Sequence, residues 1–202
     1  MLTNTYNTAE NIEGRSRPKA LSVVAENIPD ELKRIAHWLV WGYACDVDRQ
    51  QWTKLPYRVD GAGMASSTDP KTWSTFDDAL NRYRAGGMDG IGFVVTADCG
   101  IIGVDLDHCF NAQTRTGEQW AIYLIQQFQT YTEFSPSGEG IRIFINGVLP
   151  KGITGKKKGN VEIYAASRYL TVTGHRLKNA PEVSNPARIK LTSYLKPSSR
   201  TR

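Results

Sequence analysis

A chain of 202 residues with 40% apolar and 22% charged side chains has the make-up of a folded globular protein, which excludes a disordered or fibrous one. It is long enough for one sizeable domain or for two small lobes on a shared core, and no apolar run approaches the roughly 18 residues that a membrane span needs. Net charge is +5, but residues 1–150 carry 13 Lys+Arg against 18 Asp+Glu, whereas residues 151–202 carry 12 against 2. Such an asymmetry points the C-terminal quarter toward a polyanion.

No charged start followed by an apolar core opens the chain, so no secretory signal is expected. Three cysteines (Cys45, Cys99 and Cys109) are odd in number and not spaced as a disulfide framework, which suits a reducing cytoplasm. Cys99, His108 and Cys109 match no common zinc spacing, and no zinc is expected.

Residues 1–25 show no periodicity and read as a flexible arm. Pro29 to Ile35 reads as a short helix with acids in its first turn. Trp38 to Tyr43 is a strand, Asp46 to Gln51 a turn, and Trp52 to Tyr57 a returning strand placed at an edge by Pro56. After a Gly/Ser/Asp/Pro loop, Ser74 and Asp77 suggest a helix cap, with Phe76, Ala79, Leu80 and Tyr83 at helical spacing until Gly86-Gly87. Gly90–Thr96 and Ile101–Asp107 read as two strands joined by a tight turn at 98–100. Glu118 to Phe128 is an amphipathic helix whose Trp120, Leu124 and Phe128 face a core. Strands follow at 130–134, 141–145, 161–164 and 169–173, and residues 147–160 read as a basic, Gly-rich connection. Alternating strands and helices give an α/β (α+β) class, and the hairpins imply a mixed sheet.

The chain's chemistry centres on Val104-Asp105-Leu106-Asp107. Residues i and i+2 share one face of a strand, so two carboxylates point the same way at the end of an apolar run. Side-by-side carboxylates repel unless a cation lies between them, and a hard ion such as Mg²⁺ or Mn²⁺ suits oxygen donors. Glu162 lies opposite Val161 and Ile163 and needs a partner: a shared metal or a nearby lysine. Ser137-Gly138-Glu139-Gly140 is a loop whose amides could form an anion nest, followed by Arg142, which can grip phosphate. Arg168 and His175 flank the last strand, and Lys54 lies in the first hairpin.

Four motifs in order, Val-Asp-Leu-Asp-His (104–108), Ser-Pro-Ser-Gly-Glu-Gly-Ile-Arg-Ile-Phe (135–144), Val-Glu-Ile-Tyr (161–164) and Arg-Tyr-Leu-Thr-Val-Thr-Gly-His (168–175), resemble the archaeo-eukaryotic primase superfamily. The likeness is to the primase-polymerase domains of phages, plasmids and other mobile elements. It covers roughly residues 28–178, with a catalytic domain expected over 26–178 and a basic linker-like segment over 179–202.

The resemblance implies a lobe like the RNA-recognition motif, a smaller N-terminal α/β unit, and nucleotidyl transfer with two Mg²⁺ or Mn²⁺ ions on Asp105, Asp107 and Glu162. It assigns Ser137, Gly138 and Gly140 to nucleotide contact, with Lys54, Arg142, Arg168, Thr173 and His175 in support. Arg142 stands where the family usually has His. Lys151, Lys156, Lys157 and Lys158 would track nucleic acid. The implied partners are single-stranded DNA template, primer, dNTPs or NTPs, and a helicase beyond the chain. The alternative is a single-strand-binding module of the same fold without catalysis.

Overall fold

The computed structural model describes residues 6–7, 11–12, 15–150 and 152–181. Lys151, most of residues 1–14 and residues 182–202, which include most of the expected basic segment, lie outside the described residues. Among those described, no helix is long and apolar enough to cross a membrane.

Two antiparallel sheets carry the fold. The first is built on β1 (Trp38–Asp46), which forms a hairpin with β2 (Gln51–Tyr57). β1 also pairs at its start with β3 (Gly90–Val95), and β3 pairs with β9 (Arg168–Val172). A short strand at Tyr6–Asn7 completes this sheet. The second sheet runs in the order β5 (Thr132–Phe134), β6 (Ile141–Asn146), β4 (Ile101–Leu106), β8 (Val161–Tyr164), β7 (Gly155–Lys158).

Four expectations are corrected by this topology. Every ladder among the described residues is antiparallel, so the expected mixed sheet is not formed. β4 and β5 run the same way, but the return strand β6 inserts between them and replaces a parallel pair with two antiparallel ones. The turn at 98–100 makes no hairpin; it hands the chain from the first sheet to the second. Residues 155–158 form a strand of their own, paired with β8, rather than remaining a loop.

The fourth correction is one residue of helix register. The described residues form three α-helices: α1 (Asp30–Lys33), α2 (Phe76–Arg84) and α3 (Gln119–Phe128). The cap of α2 is Thr75, not Ser74: its Oγ1 accepts from the Asp78 amide at 3.2 Å and donates to the Asp78 carboxylate at 2.6 Å. Ser74 instead donates its hydroxyl to the Trp38 carbonyl, tying the loop to β1.

Side-chain parity explains the packing. On β4, Ile102, Val104 and Leu106 face α3 and join Ala121, Leu124 and Phe128 in one core. Ile101 and Gly103 face the first sheet, where Phe76, Trp38, Phe93 and Phe144 make successive edge contacts from α2 through both sheets. Gly103 has no room for a side chain: a Cβ there would collide with Leu170 of β9. That close approach brings the two sheets together, with Asp105 two residues further along the same face.

Segments outside the sheets are fastened to them. Arg17 makes a two-pronged ion pair with Asp89, the Leu21 amide donates to the Pro136 carbonyl, and the Val24 amide donates to the Thr173 carbonyl.

Candidate active site

The site is a row of charged residues across the second sheet. Ladder register sets Glu133 opposite Arg142, Arg142 opposite Asp105, Asp105 opposite Glu162, and Glu162 opposite Lys157. Directly opposed residues present their side chains on one face, with Cβ atoms about 4.5–5.5 Å apart. The row therefore reads acid, base, acid, acid, base on the face turned to the first sheet. The two acids expected from separate motifs, Asp105 and Glu162, are thus neighbours across one ladder, and Asp107 follows on the same face just past the end of β4.

Burial makes the row electrostatically demanding. Asp105, Arg142 and Glu162 are only 7%, 7% and 6% exposed, and Glu133 is fully buried. Each acid has found a donor within the chain. Asp105 is ion-paired with the Arg142 guanidinium, and Glu162 with Lys157 while also accepting from the Tyr164 hydroxyl. Lys157 is thus the lysine partner of Glu162, with its side chain still 68% exposed. The Glu133 carboxylate turns aside to accept from the Thr173 amide (2.9 Å), the Gly174 amide (2.7 Å) and the Tyr131 hydroxyl (2.6 Å). Burial pushes its pKa up to about 7 against these three hydrogen bonds.

Beside the row lies a cleft of about 340 Å³. Asp105, Asp107 and Arg142 line it from the second sheet, Lys54 from β2, and Arg168, Tyr169 and Thr171 from β9. The Lys54 ammonium lies over the Tyr43 ring at 5.8 Å and the Arg168 guanidinium over Tyr164 at 4.9 Å, so each cationic head rests on an aromatic face. Burial, reinforced by Arg142 and opposed by Asp107, brings Lys54 down to about 8. Burial also lowers Arg142, to about 10, leaving it cationic at neutral pH. Arg142 Nε and Thr171 Oγ1 are buried with no hydrogen-bond partner.

Other expected contacts fall differently. In the loop at 135–140, the Gly138 amide donates to the Ser135 carbonyl, the Glu139 amide to Ser137 Oγ, and the Gly140 amide to Ser135 Oγ. These amides are occupied by the loop itself, so the open anion nest is not present. Gly138 has φ +76°, and a Cβ on Gly140 would lie 2.9 Å from the Leu106 carbonyl, which seats this tight loop against the end of β4.

Thr173 and His175 are absent from the cleft lining. Thr173 Oγ1 donates to the Phe134 carbonyl and accepts from the His175 amide, while His175 Nε2 meets the Ser22 carbonyl. Sequence reasoning missed Tyr169 and Thr171 as cleft residues. Alternation from Leu170 and Val172, both core residues, would have assigned them to the opposite face. Lys158 is exposed on β7, beside Lys156.

Among the described residues, no three His, Cys, Asp or Glu side chains close into a metal cage. Asp105 is held by Arg142 and Glu162 by Lys157 and Tyr164, which keeps the carboxylates from converging. The donor set itself fits a hard divalent cation, with three carboxylates on one face and two of them, Asp105 and Glu162, buried.

Fold and site together define an α+β protein of antiparallel sheets that holds a buried acid row beside a cation-lined cleft. No family model matches the chain. The chain is similar to the DNA primase-polymerase of Nitratiruptor phage NrS-1, with 36% identity over 147 residues, which is 71% of this chain and 20% of that protein. It therefore spans about a fifth of the length of the curated relative it matches. That similarity supports a primase-polymerase relationship.

Proposed function

We propose that the protein is a template-dependent DNA primase or polymerase of a phage, plasmid or other mobile element, transferring nucleotides on a single-stranded template. The observation that carries this reading is the opposition of Asp105 and Glu162 across one buried ladder, beside a cleft walled by Lys54, Arg142 and Arg168. A structural core gains nothing from two adjacent buried carboxylates, whereas phosphoryl transfer uses such a set. The similarity to the phage DNA primase-polymerase supports the same conclusion.

Asp105, Asp107 and Glu162 would hold Mg²⁺ or Mn²⁺, which when bound activates the attacking hydroxyl and neutralises phosphate charge. Lys54 and Arg168, their cationic heads placed over the Tyr43 and Tyr164 rings, offer charged donors to the triphosphate oxygens. The unpartnered Thr171 hydroxyl adds a neutral donor. The self-bonded loop at 135–140 forms a stiff support at the end of β4. Lys156 and Lys158 would follow the template backbone, making affinity fall with salt.

The test is incorporation of labelled dNTPs and NTPs on single-stranded DNA, with and without primer, in Mg²⁺, Mn²⁺ or chelator. Cation-dependent extension supports the reading, and the lanes without primer report priming. One observation favours a second reading, a binding module without catalysis: Asp105 and Glu162 are already neutralised by Arg142 and Lys157. Template binding without incorporation in any lane would select it.

Lys54 provides a pH signature. Below about 8 it is charged and attracts phosphate; above that value it loses its proton and nucleotide affinity falls. Titration of nucleotide binding from about pH 6.5 to 9.5 should show this decline, and Lys54→Arg should flatten it, since Arg stays protonated throughout.

A further inference from the structure

The acid row contains its own substitute for a cation. Arg142 is flanked by Glu133 and Asp105, but Glu133 is committed to the Thr173 and Gly174 amides and the Tyr131 hydroxyl. Asp105 is therefore the carboxylate that Arg142 neutralises. The remaining charged neighbours in the cleft are Lys54 and Arg168, both cations, together with Asp107 at the end of β4. Arg142 Nε meanwhile has no acceptor, although the residue is only 7% exposed.

A divalent cation and the Arg142 guanidinium compete for that carboxylate, because like charges at contact distance repel strongly where water is scarce. A cation arriving alone would push Arg142 toward Lys54 and Arg168, leaving a buried charge without its counterion, which is costly. A triphosphate changes the balance, since it gives the guanidinium oxygens to grip in a two-pronged bond.

Resting on the reading of this cleft as a nucleotidyl-transfer site, we infer that Arg142 is a positioning residue that couples cation binding to nucleotide binding. In the empty cleft it occupies Asp105. When a nucleoside triphosphate enters, it moves from Asp105 to the phosphates and frees the carboxylate for the cation. By linkage, each ligand then raises the affinity for the other by the same factor.

The experiment measures Mn²⁺ binding by loss of the free-ion paramagnetic resonance signal, with and without a non-hydrolysable deoxynucleoside triphosphate. The proteins are wild type, Arg142→Gln, Arg142→Lys and Asp105→Asn. Removing the internal cation should tighten binding of Mn²⁺ alone by at least about tenfold and shrink the coupling factor correspondingly. Arg142→Lys should retain coupling in part, because charge is kept while the planar fork is lost.

Should Arg142→Gln be poorly folded, its melting temperature supplies the readout. Mn²⁺ should raise it more than it raises that of wild type, by neutralising the now unpaired Asp105. Binding of Mn²⁺ that Asp105→Asn weakens but Arg142→Gln leaves unchanged overturns this inference alone. Binding that Asp105→Asn does not weaken overturns the cation site itself, and the inference with it.

Discussion

Asp105→Asn should reduce nucleotide incorporation by about 10²–10³-fold or more while leaving template binding in place, as removal of one electrostatic element from a catalytic site does. Asn keeps the shape of the side chain but removes the anion that would hold a divalent cation. The same substitution leaves the buried Arg142 guanidinium without its counterion, and breaking a buried pair in this way costs about 3–5 kcal/mol. Loss of activity must therefore be separated from loss of fold. Asp107→Asn makes that separation: Asp107 is half-buried at the strand end, and the Arg142 pair stays intact. Primer extension and urea denaturation on both variants check the prediction. The expected pattern is activity lost in both and stability lowered mainly in Asp105→Asn. Full incorporation by either variant at ordinary cation concentration would overturn the assigned role.

Gly174→Ala should be among the most destabilising single substitutions in the chain, lowering stability by about 3 kcal/mol or more. Two independent constraints act at this position. Its φ of +72° lies in the left-handed region, and an added Cβ would fall on the Val24 carbonyl. Neither constraint can relax cheaply. The Gly174 amide donates to Glu133, its carbonyl accepts from the Asn27 side chain, and the Val24 amide donates to Thr173. A shift here would take one of its three donors from a fully buried carboxylate and detach the segment that precedes α1. Urea or thermal unfolding would show the loss. By contrast, Gly61→Ala should cost little beyond its backbone preference, since its φ is +76° but nothing lies within 4 Å of the added Cβ.

Much of this was legible in the linear sequence, for local physical reasons. The alternation of Ile102, Val104 and Leu106 with Asp105 and Asp107 requires one apolar and one acidic face on β4, whatever the rest of the chain does. The apolar spacing of Phe76, Ala79 and Leu80 marks α2, and that of Leu124 and Phe128 marks α3, because a 3.6-residue period places them on one side. Trp52 to Tyr57 reads as the return strand of a hairpin because a polar turn precedes it and side chains suited to a pleated sheet compose it.

Other features depend on pairing, which no local pattern specifies. Nothing within residues 155–164 says that Glu162 will stand opposite Asp105, although the two-residue turn Gly159-Asn160 does set Lys157 opposite Glu162. The tight turn at 98–100 is as compatible with a hairpin as with the observed passage between sheets. The choice rests on partners elsewhere: β3 takes β1 and β9, while β4 takes β6 and β8. Parity alone could have moved Thr171 into the cleft, but its neighbours there, Arg142, Asp105 and Lys54, come from strands about 30, about 65 and about 115 residues away in sequence.

The sequence by itself determined which side chains share a face, where the acids and bases are, and that strands and helices alternate, because these follow from backbone periods of 2.0 and 3.6 residues. Only the tertiary structure decided that the acids of β4 and β8 meet, that Arg142 rather than solvent neutralises Asp105, and that the loop at 135–140 uses its own amides. Those outcomes follow from ladder register and from the approach of Gly103 to Leu170, which bury charge and so force each carboxylate to find a donor.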